Sequence, residues 1–217
     1  MNTRILNQQS SILNHFITEL RDKHVQTDPM RFRRNLERIG EIFAYEISKT
    51  LPSEVVEVPT PLGVATEVVP NVQVVIGNVL RAGLPLHNGI LNYFDRAENA
   101  FVSAYRKYTI DHEFDIRVEY ISSPSLDGKT LILCDPMLAT GSSIELVYKA
   151  LLQKGKPQSV HLVSVVGSQA GLQYVQNAMK NEPVTIWLGA LDEELNAKSY
   201  IVPGLGDAGD LAYGSKL

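Results

Sequence analysis

The segment LILCDPMLATGSS, residues 131–143, combines the residue types that binding of a phosphate and a sugar requires. An apolar run ends at Cys134, an acid follows at Asp135, and Ala139, Thr140, Gly141, Ser142 and Ser143 lead into a helical pattern from Ile144. A helix start offers unpaired N–H groups and a partial positive charge, glycine permits close backbone approach, and hydroxyls add donors, so a phosphate dianion fits there. Asp135 cannot favour phosphate itself, but it can accept hydrogen bonds from ribose hydroxyls or stabilise a nearby cationic centre. An ordinary strand-to-helix turn capped by Ser or Thr, with Asp135 as an N-cap, uses the same residues, and on these residues alone both readings stand. The segment matches neither the GxxxxGKS/T phosphate loop nor the GxGxxG dinucleotide turn, so ATPase and dinucleotide-dependent dehydrogenase readings lose their main support.

Other residues with chemical potential divide unevenly. Arg81 stands between an apolar run and Ala82-Gly83, where an ordinary surface role explains it poorly, and Arg106 follows a second apolar run. Pro203, Gly204, Gly206 and Gly209 allow a tight loop near the C-terminal end, because glycine reaches positive φ at little cost. His15, His24, His87, His112 and His161 show no metal-ligand spacing. Cys134, on an apolar run, reads as core and not as a nucleophile. Arg31, Arg33, Arg34 and Arg38 form a basic helix face, read as a solvated or subunit-contact surface.

The elements that must hold these residues follow from periodicity. Ile5, Ile12, Phe16 and Leu20, then Phe32, Leu36, Ile39, Phe43 and Ile47, predict two amphipathic helices. Thr27-Asp28-Pro29 supplies an N-cap and a first-turn proline for the second helix, and Pro52 ends it. Short β-branched runs at 72–76, 101–105, 130–134, 159–166 and 184–188 predict strands, with helices at 142–154 and 171–180. Strand, loop and helix in succession argue for a parallel α/β sheet, which binds ligands at the carboxyl ends of its strands. Residues 53–69 and 106–128 are polar or mixed and read as hairpins or flaps.

Composition bounds the rest. A chain of 217 residues, 44% hydrophobic and 20% charged, is one generous globular domain or one domain with an appendage. With 20 Lys and Arg against 24 Asp and Glu, the net charge of -4 argues against a surface devoted to nucleic acid. One cysteine excludes an intrachain disulfide and a cysteine-rich zinc site, and it suits a reducing compartment. No run approaches 18 apolar residues, and the polar start MNTRILNQQSSI has no stretch suited to a signal peptide, so a cytoplasmic protein without membrane partners is expected.

Residues 131–143 resemble the phosphoribosyl-diphosphate motif of the type I phosphoribosyltransferases. In detail they are similar to that of the uracil phosphoribosyltransferase family, where one acid followed by proline (DPMLATG) replaces an acidic pair. VLRAGLPL (79–86) resembles that family's LRAGL loop, AYRK (104–107) its YR element, and YIVPGLGDAGD (200–210) its uracil loop. The helix at 32–52 and the VEVPTPLG stretch also agree, so the resemblance covers most of the chain.

The resemblance implies an α/β fold of the type I phosphoribosyltransferase kind, a parallel sheet flanked by helices, within a single domain 1–217. Residues 1–52 would be N-terminal helices, 70–190 the α/β core and 191–217 a C-terminal base-binding region. It implies transfer of phosphoribosyl from 5-phosphoribosyl 1-diphosphate (PRPP) to uracil, giving UMP and diphosphate, with Mg2+ as cofactor. Asp135, Arg81 and Arg106 would be catalytic. PRPP would meet those three together with Pro136, Met137, Leu138, Ala139, Thr140, Gly141, Ser142, Ser143 and Asp207. Uracil would meet Ile201, Gly206, Asp207 and Ala208, with Asp207 also facing PRPP or its metal. A homodimer or higher homo-oligomer is implied as well, with no nucleic-acid partner.

Several positions depart from the family pattern. Ser142 stands where TGGS is common, GSQAG (167–171) lacks the acid of an APEG stretch, and Leu211 replaces an arginine after GDAGD. PLHNG departs after the LRAGL core, and Lys107 stands where an acid commonly follows YR. Two rival readings are a transferase for another base and a nucleotide-responsive RNA-binding regulator of the same broad fold, which would need a concentrated basic face.

Overall fold

A computed structural model describes residues 1–108 and 114–215, with the side chains of 104–118 outside the description. The apolar runs become a central sheet in the order β1 (Asn2–Ile5), β10 (Val184–Asp192), β9 (Ser159–Ser168), β7 (Thr130–Cys134), β4 (Val74–Leu80), β5 (Glu98–Tyr108) and β6 (Phe114–Ser122). All neighbours are parallel except β5 and β6, which form an antiparallel pair at one edge. Strands buried on both faces need apolar residues at every position, which is why β4, β7 and β9 read as unbroken runs. Alternate residues feed two apolar layers: Val74, Ile76, Ile132, Val163 and Trp187 join one, and Val75, Leu131, Leu133 and Val160 the other.

Helices α1 (Ile12–Arg21) and α2 (Pro29–Ser48) cover the first layer. Asp28 accepts hydrogen bonds from the N–H groups of Met30 and Arg31 at 2.9 and 3.1 Å, and Pro29 opens the helix, as the capping signal predicts. Phe32, Leu36, Ile39, Phe43 and Ile47 are all buried, each contributing on the order of 1.5–3 kcal/mol. Against α2 lies α3 (Leu84–Leu91), which follows the Arg81 loop. A Cβ at Gly40 would stand 2.4 Å from the Leu86 carbonyl oxygen and one at Gly89 would overlap the Glu37 carbonyl, so these backbones touch only because both are glycine. Gly89 belongs to the departing PLHNG stretch, which therefore serves this helix contact.

Helices α4 (Ser142–Leu151) and α5 (Gln169–Ala178) cover the second layer. A hairpin of β2 (Ser53–Thr60) and β3 (Gly63–Pro70) stands apart from the main sheet, matching the expectation for 53–69. Short pieces complete the chain: β8 (Met137–Leu138), the pair β11 (Glu194–Leu195) and β12 (Ile201–Val202), and α6 (Ala208–Tyr213).

Two expectations are corrected. Ile5 lies in a strand and not in the first helix: residues 2–5 pair in parallel with β10, and the helix begins after Ser11, whose hydroxyl accepts from Leu13 N–H. A free edge on β10 outweighs a weak helical spacing, since strand pairing satisfies backbone groups that a frayed helix start would leave open. The base-binding segment is also not all loop, because Asp207 caps the short helix α6 through Asp210 N–H.

Candidate active site

The carboxyl ends of β4 and β7 are adjacent, and they bring the two most suggestive segments together. Cys134 is fully buried at the end of β7, with its thiol donating to the Gly77 carbonyl oxygen at 2.9 Å. Burial, and secondly the neighbouring Asp135 carboxylate, push that thiol well above the ordinary range, so it remains protonated core as its sequence context suggests. Asp135 follows at the strand end, partly exposed, and accepts a hydrogen bond from Met137 N–H at 3.2 Å. It is therefore not the cap of α4; six residues separate it from that helix.

The intervening residues make a braced turn. Pro136 and Leu138 are buried, and Met137 and Leu138 pair with Val166 and Gly167 as β8. Gly141, at φ +82°, closes the turn, and a Cβ there would meet Val175, Tyr174 and the Gly171 carbonyl at 2.8–3.0 Å. Only glycine suits both the conformation and the space. The helix opens at Ser142, where the helical pattern over 142–154 places its start, and its first main-chain bond runs from Glu145 N–H to Gly141. Among the described residues, the N–H groups of Ser142, Ser143 and Ile144 have no helical acceptor and face the turn as potential anion donors. Ser142 lies outside the left-handed region, so a side chain costs nothing there, and its hydroxyl bonds that of Thr140 at 2.7 Å.

A residue that sequence reasoning passed over holds this turn. Ser168, fully buried at the end of β9, donates to the Ala139 carbonyl at 2.6 Å and accepts from Gly171 N–H at 2.8 Å. A Cβ on Gly171 would lie 2.2 Å from the Ala139 oxygen. The GSQAG stretch thus substitutes a hydroxyl clamp and a close glycine contact for an acid. The legible signal was Ser168 three residues before Gly171, an N-cap spacing.

Arg81 joins the phosphate loop's surroundings to the C-terminal segment. Its Nη2 donates to the Gly214 carbonyl at 3.0 Å and to Asp210 Oδ1 at 3.3 Å, and its side chain is 41% exposed. Gly83, next to it, is packed so tightly that a Cβ would meet the Asn78 amide at 2.3 Å and the Val79 and Cys134 carbonyls at 2.8 and 2.9 Å. The Arg81 loop therefore lies directly on the end of β7 beside Asp135. Ile201, Leu205 and Ala208 are buried, while Gly206 is exposed at φ +94°. Arg106 sits on β5 opposite Ile116 on β6, and its side chain lies outside the described residues.

The C-terminal segment is held by the N-terminal helices. Arg21 forms a two-pronged pair with Asp192, both bonds 2.8 Å, and also donates to the Gly204 carbonyl at 3.1 Å. Asp192 in turn accepts from Gly204 N–H at 2.9 Å. Gln26 donates to the Leu205 carbonyl at 3.1 Å, and Arg33 to the Ala212 carbonyl at 2.7 Å. Arg31 pairs with Glu19, Arg34 with Glu37, and Arg38 lies over Phe16. Arg31 and Arg34 keep 49% and 45% of their side-chain surface exposed, so the basic helix face is solvated while it also makes contacts within the chain. Arg31, and secondly Asn35, hold the pKa of the Glu19 carboxyl down to about 2.

Mg2+ is ordinarily held by one or two carboxylates together with substrate phosphate oxygens. Asp207 and Asp210 fit that donor set: both are partly exposed in the segment that Arg81 grips, and each has one carboxylate oxygen engaged, by Asp210 N–H and by Arg81. Among the described residues no group of three or more metal-ligating side chains occurs.

The chain matches the family model described as uracil phosphoribosyltransferase over residues 7–215. It is 56% identical over 212 residues to uracil phosphoribosyltransferase of Porphyromonas gingivalis, covering 98% of both chains. It is 38% identical over 215 residues to that of Thermococcus gammatolerans, covering 97% of this chain and 92% of the relative. A solved Aquifex aeolicus protein superposes with a TM-score of 0.86 at 30% identity, over 99% of each chain. Orotate phosphoribosyltransferase of Mycobacterium tuberculosis, with a TM-score of 0.51 at 13% identity over 87% of this chain and 94% of that one, shares the type I fold. With a parallel sheet that gathers Asp135, the Gly141 turn, Arg81 and the 200–210 segment at one edge, this chain belongs to the uracil phosphoribosyltransferase family.

Proposed function

We propose that the protein transfers the phosphoribosyl group of PRPP to uracil, releasing diphosphate and forming UMP, a step of pyrimidine salvage. The carrying observation is the Arg81 side chain, which bridges the strand end beside Asp135 to Asp210 at the end of the base loop and to Gly214 beyond it. In this reading the bond from C1' to the diphosphate oxygen breaks, its electron pair leaving with diphosphate. A bond from a uracil ring nitrogen forms, and that nitrogen's proton is released.

The chain's own groups have separable tasks. Main-chain N–H groups at the start of α4, with the hydroxyls of Thr140, Ser142 and Ser143, hold the 5'-phosphate and so fix C1'. Asp135 offers a negative charge to the ribose as it becomes oxocarbenium-like and need not take a proton. Arg81 and Arg106 stabilise the charge growing on diphosphate. Main-chain groups of Ile201, Gly206 and Ala208, with Asp207, read the donors and acceptors of uracil, and cytosine is excluded by mismatched buried polar groups. Mg2+, when bound with PRPP, neutralises diphosphate charge, and Asp207 and Asp210 are the side chains suited to hold it. The three stretches act as one unit: residues 1–52 brace the base loop, 70–190 carry the phosphate site and 191–217 bind the base.

The hairpin of β2 and β3 supports a homodimer or larger homo-oligomer, because it exposes Val55, Val58, Leu62, Val64 and Val68 away from the main sheet. Light scattering after size exclusion tests this, with a monomer mass refuting it. No helix among the described residues is long and apolar enough to cross a membrane, and a cytoplasmic setting is part of the proposal. Purified protein with Mg2+, PRPP and separately uracil, cytosine, hypoxanthine or orotate tests the reaction. UMP from uracil alone is expected; product from another base in preference, or none from any, overturns the assignment. The RNA-binding alternative is disfavoured by the internally paired arginines of α2.

A further inference from the structure

A second polar cavity lies at the opposite edge of the sheet from the site above. It encloses about 310 Å³ and is lined at its base by the amino ends of four neighbouring strands: Asn2 and Arg4 from β1, Thr185 from β10, Ser159 and His161 from β9, and Thr130 from β7. Strand register explains the grouping. Asn2 lies opposite Thr185, Thr185 opposite His161 and Thr130 opposite Ser159, and side chains two apart on a strand share a face. Helix α2 ends at Ser48, so it covers the apolar part of this face and leaves the polar shelf beneath residues 50–52 uncovered.

The donors on this shelf are unusually well defined. His161 is only 6% exposed, and its Nδ1 accepts a hydrogen bond from Trp187 Nε1 at 3.0 Å. A neutral imidazole whose Nδ1 accepts must carry its proton on Nε2. Among the described residues that Nε2–H has no partner, and His161 lines the cavity. Arg4 places its guanidinium over the Trp187 ring at 5.1 Å and is the one charged residue among the lining residues described. Thr130 and Ser159 bond one another at 3.0 Å, leaving one of their two hydroxyl protons to spend, and the Thr185 hydroxyl has no partner among the described residues. A cavity with a cation, an unpartnered N–H on a nearly buried histidine and a free hydroxyl, lined by no carboxylate among those residues, is complementary to negative charge.

We propose that this cavity is a second ligand site, which binds a small oxyanion through Arg4, the Nε2–H of His161 and the Thr185 hydroxyl. It is distinct from the phosphoribosyl site, which lies roughly 16 Å away along β7. Its volume falls at the small end of ligand pockets, about 300–1,000 Å³, and suits inorganic phosphate or a compact phosphorylated molecule.

The protein's single tryptophan, Trp187, is hydrogen bonded to one proposed ligand group and stacked under another, so its fluorescence reports on this cavity. The full-length protein is saturated with UMP and titrated with inorganic phosphate, against chloride at matched ionic strength, following Trp187 emission and heat in parallel. A saturable phosphate phase is expected, weakened at least about tenfold by Arg4→Gln and several-fold by Thr185→Val, while UMP synthesis by both variants is unchanged. Phosphate binding that survives equally in both variants belongs to the first site and overturns the proposal, as does the absence of a saturable phase in wild-type protein by either readout. If Arg4→Gln does not fold, Thr185→Val, which leaves no bonded partner behind, decides alone.

Discussion

Replacing Asp192 by Asn tests whether the N-terminal helices set the base site. Asp192 is 8% exposed and accepts three bonds, from Arg21 Nη1, Arg21 Nη2 and Gly204 N–H. Asparagine keeps one oxygen, which can still serve Arg21 Nη1 and Gly204, but it presents an NH2 group to Arg21 Nη2 and removes the charge opposite the guanidinium. Breaking a buried pair in this way costs about 3–5 kcal/mol. The Arg21 side chain is 23% exposed and water can partly replace the lost partner, so about 2–4 kcal/mol is expected here. At about 2–4 °C per kcal/mol for a chain of this size, Tm should fall by about 5–15 °C. Because Gly204 lies in the base loop and Asp135 does not touch this network, the kinetic effect should be selective. KM for uracil should rise about tenfold or more, the equivalent of about 1.4 kcal/mol, while KM for PRPP changes less than about threefold. Thermal melts and initial-rate kinetics with each substrate varied in turn supply the readouts. An unchanged Tm would refute the energetic reasoning, and equal rises in both KM values would refute the claim that this anchor serves the base loop.

Three further outcomes are expected. Gly141→Ala places a Cβ in a left-handed residue, costing about 1–2 kcal/mol, against contacts at 2.8–3.0 Å that cost about 1–3 more, so a melt should show a loss of about 2–5 kcal/mol together with a raised KM for PRPP. Asp135→Asn should lower kcat about 100-fold with little change in Tm; unchanged turnover would remove Asp135 from the chemistry. Burial, and secondly Arg4, lower the His161 pKa from 6.5 to about 4, so the unfolded chain takes up a proton in this range before the folded one does. Stability contributed by the neutral ring should therefore be intact above about pH 6.5, decline as pH falls to about 4 and level off below, and melts of His161→Gln should lack that component.

Much of the fold was legible because it rests on local rules. The five apolar residues of α2 recur at helical spacing, and Asp28-Pro29 marks its start by a bond within one turn. The unbroken apolar strands announced a sheet covered on both faces, and the Gly141 turn between an acid and a helix announced a phosphate site. Where local rules failed, a distant partner intervened. Ile5 pairs with Leu188 in place of continuing a helix, and α6 forms where a glycine-rich loop was expected because Asp207 caps it and Arg33 of α2 donates to its Ala212 carbonyl.

The most consequential omissions share one cause. Arg21 and Asp192 are separated by 171 positions and Ser168 and Ala139 by 29, so neither pair leaves a periodicity or spacing to read. The sequence by itself determined the family through the resemblance of its motifs, and it determined the sheet and the chemical character of the phosphate turn because backbone conformation, capping and burial pattern depend on neighbours within a few residues. Only the tertiary structure decided which carboxylate anchors the base loop, which hydroxyl clamps the phosphate turn and which partners the arginines of α2 take within the chain, because those bonds exist only after the chain closes on itself.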